Sequence, residues 1–397
     1  MPGPLSSAKP IVSIRLSRPK LTKRPASIRD YRALAKARLP HFLFEYLDGG
    51  SYDELTLRRN SDDLGRVALR QRVLRNVSSI DLSTELFHQR WSMPVGLGPV
   101  GLAGLYARRG ETQAAKAAAA AGVPFALSTV SGCSLEEVGQ SVGPVWFQLY
   151  FVKDRSFVSE MIARARSVGC TALLLTVDLA VPGSRYRDAR AAGAGLQRYL
   201  EVLARPRWLW DVAINGRPIS LGNLESIVGR RAPLSDFQAW IHSNFDASVS
   251  WKDVEWVRSQ WNGPLVIKGL LDSDDAREAL SRGADSIVVS NHGGRQLDGA
   301  LSTARALPRI ADEIGGRIPV LVDGGVRSGL DVMRMLALGA NFVLLGRAWA
   351  YALAASGGSG VERALTMIRS EMRVAMALTG CTKISDITSD VLERNAS

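Results

Sequence analysis

The chain has 397 residues, of which 46% are hydrophobic and 22% charged, with a formal net charge of +12. That apolar content excludes a disordered or fibrous polypeptide, and the length fits one large α/β domain or two ordinary ones. Cys133, Cys170 and Cys381, with no C-x-x-C spacing, encode neither a disulfide framework nor a zinc site.

The positive charge is local. Residues 1–38 carry a net +9, residues 185–231 a net +5, and everything else sums to −2. Excess positive charge raises the question of nucleic acid, but here it is confined to two segments and no standard binding motif accompanies it, so no nucleic-acid partner is expected. Residues 1–27 are rich in Pro, Ser and basic side chains and lack the apolar run of a secretory signal. They read as a basic flexible tail or a transit-peptide-like segment. Next, Ile28–Leu47 has helical period behind Ser27, a candidate N-cap, and ends at Gly49-Gly50, which predicts one helix packed on the domain that follows.

From Met93 onward, short aliphatic runs alternate with longer stretches of helical period. The runs are Val95–Pro99, Phe125–Ser128, Val145–Tyr150, Ala172–Val177, Leu265–Gly269, Ser286–Ser290, Val320–Asp323 and Phe342–Leu345. Continuous apolar runs suit parallel strands covered on both faces, and eight of them predict a (β/α)8 TIM barrel with an N-terminal helical extension. About 85 residues separate the fourth and fifth strands where a βα unit needs roughly 30, so a long insertion of about 185–250 is expected there. No apolar stretch approaches the ~20 residues of a membrane-crossing helix.

Gly96-x-Gly98-x-x-Gly101 follows the first strand and matches a dinucleotide fingerprint. However, Pro99 lies inside the turn and the next strand ends in Ser128, not in the acidic residue a ribose needs. The chemistry lies instead at the strand ends, which face one mouth in a barrel. Those positions hold Ser128, Gln148 with Tyr150, Thr176 with Asp178, Lys268, Ser290 with His292 and Arg295, Asp323-Gly324-Gly325-Val326-Arg327, and Gly346-Arg347. Glycines after the last two strands permit close backbone approach and Arg adds a bidentate donor, a pattern suited to a phosphorylated ligand. His292 can accept a proton at neutral pH beside Arg295, which can clamp a carboxylate, and no cluster of metal ligands accompanies it.

Ser290-Asn-His-Gly-Gly-Arg-Gln-Leu-Asp298 resembles the active-site signature of the FMN-dependent α-hydroxy-acid oxidising family. Leu39-Pro40 through Tyr46 to Gly49-Gly50, Trp146–Tyr150, Thr176–Asp178, Ile267–Gly269, Asp323–Arg327 and Leu345–Arg347 resemble it in the same order and spacing. The likeness runs from about Ile28 to Leu392. Within the family, residues 205–218 and 221–223, together with Tyr52–Asn60 and Tyr106–Gly110, resemble the bacterial respiratory L-lactate dehydrogenase branch.

The resemblance implies bound FMN and oxidation of L-lactate to pyruvate, with L-mandelate, another L-2-hydroxy acid, or a soluble oxidase using oxygen as alternatives. It implies that His292 is the base, stabilised by Asp178, and that Arg295, Arg185, Tyr46 and Tyr150 bind substrate. Lys268 would sit beside the N1/O2 edge of the flavin. Pro99, Val100, Gly101, Ser128, Gln148, Thr176 and Ser290 would line the ring, and Asp323, Gly324, Gly325, Arg327, Gly346 and Arg347 would hold the ribityl chain and phosphate. It further implies a homotetramer, a quinone or cytochrome acceptor, and a peripheral position on the cytoplasmic face of the inner membrane.

In the insertion, Tyr199, Leu200, Val202, Leu203, Trp208, Leu209, Trp210, Val212 and Ile214 are interleaved with Arg198, Arg205, Arg207 and Arg217. Aromatic and basic residues together suit an anionic membrane surface, and an active-site lid packed on the barrel is the alternative.

Overall fold

The structure is a computed structural model that describes residues 24–191, 195–216, 221–225 and 243–393. Eight parallel strands run β1 (Val95–Leu97), β2 (Ala126–Ser128), β3 (Trp146–Tyr150), β4 (Ala172–Thr176), β5 (Leu265–Leu270), β6 (Ser286–Val289), β7 (Val320–Val322) and β8 (Phe342–Leu345). Each pairs with its chain neighbour, β8 pairs with β1, and a bridge from Leu97 to Phe125 links β1 to β2. The result is the expected barrel, with every strand buried on both faces.

Inside the barrel, Trp146, Leu174, Val266, Val288, Leu321, Phe342 and Leu344 form their own apolar cluster. An antiparallel hairpin, Thr84–Leu86 with Gln89–Trp91, closes the N-terminal end of the strands. Phe87 and Trp91 stand edge-on to Trp146 at ring-centroid distances of 5.6 and 6.3 Å. That end is a sealed core, which leaves the opposite end for chemistry.

The N-terminal extension differs from its prediction. Ser27 does cap a helix, with its hydroxyl on the Asp30 N–H and the Asp30 carboxylate returning to the Ser27 N–H, but that helix stops at Arg38. A second helix spans His41–Asp48. Pro40 forces the break, because a proline disfavours helical backbone at the residue before it, and Leu39 is extended at φ −74°, ψ 147°.

The insertion leaves β4 and forms helices Tyr186–Ala191 and Gly195–Leu203. Its aromatic residues do not act as one face. Tyr199, Leu200, Leu203, Trp210 and Ile214 are exposed, whereas Trp208 and Val212 are buried. The even alternation in sequence therefore hides two opposite faces. Residues 1–23 of the tail, together with Arg217 and His242, lie outside the described residues. No helix among the described residues is long and apolar enough to cross a membrane.

Candidate active site

Strand register assembles the first row of the mouth. Tyr150 of β3 aligns with Thr176 of β4, which aligns with Lys268 of β5, so three polar side chains from three strands share one level. One level deeper, Ser128 aligns with Gln148, and the Ser128 hydroxyl donates to Gln148 Oε1 at 2.9 Å. At β5 the register shifts at Gly269, whose φ is +117°, and a Cβ there would lie 2.6 Å from the Asp178 Cβ. Only glycine lets β5 pass this close to Asp178.

Lys268 is 4% exposed. Its ammonium donates to Ser290 Oγ at 2.9 Å and lies 2.9 Å from Asp323 Oδ2, while the Ser290 hydroxyl donates to Asp323 Oδ1 at 2.7 Å. Burial works against the charged ammonium, but Asp323 and Asp178 outweigh it and hold the Lys268 pKa above its ordinary value. The buried lysine is therefore a fixed positive charge.

His292 follows β6 in the left-handed conformation at φ +54°, and Gly293 and Gly294 continue that conformation. A non-glycine residue held there is strained, and such strain concentrates at functional sites. Its Nδ1 lies 2.9 Å from Asp178 Oδ1. Burial alone would raise the Asp178 pKa; the charge and hydrogen bond of His292, with Lys268 behind, bring it below the ordinary value. Asp178 is itself held by Gln296, whose amide donates to the Asp178 carbonyl at 2.8 Å. With Nδ1 directed at a carboxylate, Nε2 is the ring nitrogen left for proton transfer.

Three guanidiniums crowd the same mouth. Arg295 donates to the carbonyls of Tyr46 and Gly49 at 2.7 and 2.9 Å, and Arg347 to those of Leu47, Gly293 and Gly49 at 3.1, 2.8 and 2.7 Å. Most of these acceptors belong to the C-terminal end of helix His41–Asp48, where the helix dipole favours cations. Arg327 donates to its neighbour's carbonyl. Among the described residues none of the three has a carboxylate partner. Burial, with Arg295 and Arg327 nearby, pulls the Arg347 pKa down to about 10, so it remains charged at neutral pH. Arg185 differs, because Asp188 lies 3.3 Å away. Arg185 and Arg295 also flank the Tyr46 ring, at 5.4 and 4.9 Å from its centroid.

The cavity at the mouth is lined by all the sequence-selected residues except Ser128, Gln148, Asp178 and Ser290, which stand behind its wall as hydrogen-bond partners of one another, of His292 or of Lys268. Sequence reasoning missed Tyr106, Val130, Leu179, Pro182, Phe245 and Gln296 on the lining. Gln296 and Tyr106 lie inside the motifs quoted above. Phe245 carried no local signal, because it reaches the site from the end of the insertion and packs on Tyr150 at 5.3 Å.

The fit to FMN can be tested on the chain's own atoms. Gln148 Nε2 and Thr176 Oγ1 are buried with no partner among the described residues. Buried polar atoms left unpaired are costly, so two of them at adjacent strand ends call for a polar ligand. The charged groups complement it: two guanidiniums without carboxylates follow the Asp323-Gly-Gly and Gly346 turns for a phosphate, and a buried ammonium stands by for a polar ring edge. The residues fit the cofactor.

Comparison with known proteins gives the class. The sequence profile of the FMN-dependent dehydrogenases matches residues 35–394, and the chain belongs to that family, with FMN as its cofactor. It is 58% identical over 368 residues to an L-lactate dehydrogenase of Ectopseudomonas mendocina, covering 91% of this chain and 97% of that protein. An L-lactate dehydrogenase of Xanthomonas oryzae pv. oryzae is 59% identical over 370 residues, covering 92% and 95%. Among solved structures, a monotopic membrane protein, (S)-mandelate dehydrogenase, superposes with a TM-score of 0.89 at 37% identity, covering 94% of this chain and all of that one. A mandelate oxidase superposes with a TM-score of 0.79 at 36% identity, covering 92% and 97%.

Proposed function

We propose that this chain is an FMN-dependent L-lactate dehydrogenase that forms pyruvate and passes electrons to a quinone or cytochrome at a membrane surface. The observation that carries the reading is the His292–Asp178 pair at 2.9 Å, facing a mouth that holds guanidiniums with no carboxylate of their own. A 2-hydroxy acid brings the missing carboxylate, and FMN brings the missing phosphate.

FMN, when bound, supplies the two-electron acceptor. Arg295 and Arg185 clamp the substrate carboxylate, with Tyr46 between them, and Tyr150 hydrogen-bonds to the substrate oxygens. Nε2 of His292 takes the proton that the substrate loses, and Asp178 stabilises the resulting imidazolium while fixing the ring. Lys268 presents positive charge to the polar edge of the flavin. Pro99–Gly101 and Thr176 line the ring with Ser128, Gln148 and Ser290 behind them, and Asp323–Arg327, Gly346 and Arg347 hold the ribityl phosphate.

The test is anaerobic titration of the purified flavoprotein. L-Lactate should bleach the flavin band, L-mandelate and glycolate much more weakly, and D-lactate not at all; a band unmoved by L-lactate refutes the reading. L-Mandelate is the second reading, favoured by the solved structures, and preferential bleaching by it would select that substrate. Steady peroxide formation matching substrate loss would identify an oxidase.

Peripheral membrane contact is part of the proposal. Its support is the exposed set of Tyr199, Leu200, Leu203, Trp210 and Ile214 beside Arg207, which fits an interface of acyl chains and anionic headgroups. A face on the cytoplasmic side of the inner membrane would bring the flavin to its acceptor.

A further inference from the structure

The loops that follow β1 and β2 form one wall of the proposed flavin site, and the barrel alone does not hold them. They are tied to each other. The Leu102 N–H donates to the Val130 carbonyl at 2.9 Å, and Glu111, 1% exposed, accepts at Oε1 from the N–H of Gly104 at 3.0 Å and of Gly132 at 2.8 Å. Thr129 also bonds to Gln148 of β3, and Trp349 donates its indole N–H to the Gly98 carbonyl. Further attachments come from the insertion. Trp208, 5% exposed, donates its indole N–H to the Leu105 carbonyl at 2.8 Å.

Asn223 is fully buried, and both ends of its amide are used. The oxygen accepts from the Leu135 N–H at 2.8 Å, and the nitrogen donates to the Ser128 carbonyl at 3.2 Å and to Ser131 Oγ at 3.0 Å. The preceding Gly222 donates to the Ser131 carbonyl at 3.1 Å, so close that a Cβ would lie 2.2 Å from the Ser134 nitrogen. Polar anchors of this kind fix position as well as area. A buried apolar contact tolerates sliding, whereas a carboxamide satisfied by three partners on one loop does not.

We propose that Asn223 and Trp208 are positioning residues of the flavin site: the segment that presents outward-facing Trp210 and Ile214 also sets the place of the loops bearing Pro99–Gly101 and Ser128–Val130. The inference rests on reading those loops as the flavin wall.

The experiment measures the FMN dissociation constant from the recovery of free-flavin fluorescence, the visible flavin spectrum, and the melting temperature of the apoprotein, on the full chain. Asn223→Ala should weaken FMN binding about tenfold or more and alter the flavin band, because three buried partners lose their hydrogen bonds. Trp208→Phe, which keeps the packing and removes only the N–H, should weaken it about two- to fivefold. If Asn223→Ala does not fold, Trp208→Phe decides. Unchanged FMN affinity and spectrum alongside a lower apoprotein melting temperature would reduce both residues to structural fasteners and overturn the proposal. Ser128→Ala and Gln148→Ala separate the two levels. If they leave FMN affinity untouched, the flavin-wall reading fails; if they weaken it and neither insertion variant does, the positioning role alone fails.

Discussion

At the N-terminal end of the strands, Trp146 stands between Ala126 and Ala172 in register and meets Phe342, Phe87 and Trp91, a large ring set among small neighbours and sealed by the hairpin. Four residues along the same strand, Tyr150 stands beside Thr176 and Lys268, among guanidiniums and an imidazole. One end is filled by apolar packing. The other leaves polar atoms and positive charge unmatched. Stability and chemistry are thus separated by about 13 Å of strand, taking about 3.3 Å per residue, and substitutions at the two ends should have separable consequences.

The largest effect is expected at the open end. His292→Ala should slow flavin reduction by L-lactate about 10²–10⁴-fold while FMN is retained and the melting temperature barely moves, read by anaerobic stopped flow and thermal unfolding. Undiminished reduction would remove His292 as the base. At the sealed end, Trp146→Ala should cost about 3–5 kcal/mol of stability in denaturant titration, with FMN affinity unaltered wherever the protein remains folded. A loss of FMN without a loss of stability would erase the contrast between the ends.

Acid should act on the fold through its paired carboxylates. Asp48, clasped by Arg32, Arg187 and Tyr351, and Asp178 both lie below the ordinary 3.8, and Arg164 pulls Glu136 down to about 2 from 4.5. Depressed folded-state values contribute stability that is complete above the unfolded values and is lost as pH falls through about 4 and below. Denaturation midpoints should be flat from neutrality down to about pH 5 and then drop; a midpoint that rises on acidification contradicts the pairing.

A smaller effect is expected from Phe245, which abuts Tyr150 on the apolar side of the mouth. Phe245→Ala should raise kcat/KM for L-mandelate relative to L-lactate by about 10-fold or more, since side-chain pockets discriminate by steric room. The smallest intrinsic change is Trp210→Ser with Ile214→Ser, both solvent-exposed, which should release the protein from anionic vesicles and leave reduction by L-lactate in solution unaltered.

Much of this was legible because a parallel strand buried on both faces must be apolar throughout, so eight runs stood out. Most of the polar residues that interrupt them lie at or near the strand ends. His292 and Arg295 were visible through their glycine-flanked setting, and the family resemblance supplied their roles. Other features were hidden for physical reasons. Pro40 sits within a helical period that continues across it, and hydrophobic periodicity does not register the lost hydrogen bond. Trp208 and Trp210 are two residues apart in a basic, aromatic segment, yet one is 5% exposed and the other 66%.

The sequence by itself determined the barrel, the mouth at the strand ends and the residue types available for proton transfer and anion binding, because strand burial and side-chain chemistry are local properties. Only the tertiary structure decided which charges are matched. Asp188 sits beside Arg185, while Arg295 and Arg347 are spent on the carbonyls of helix His41–Asp48, some 250 and 300 positions earlier in the chain. It also decided that Phe245 reaches the barrel mouth and that Asn223 fastens the loop after β2. No local pattern encodes either result, since both depend on distances between segments that only the closed barrel brings together.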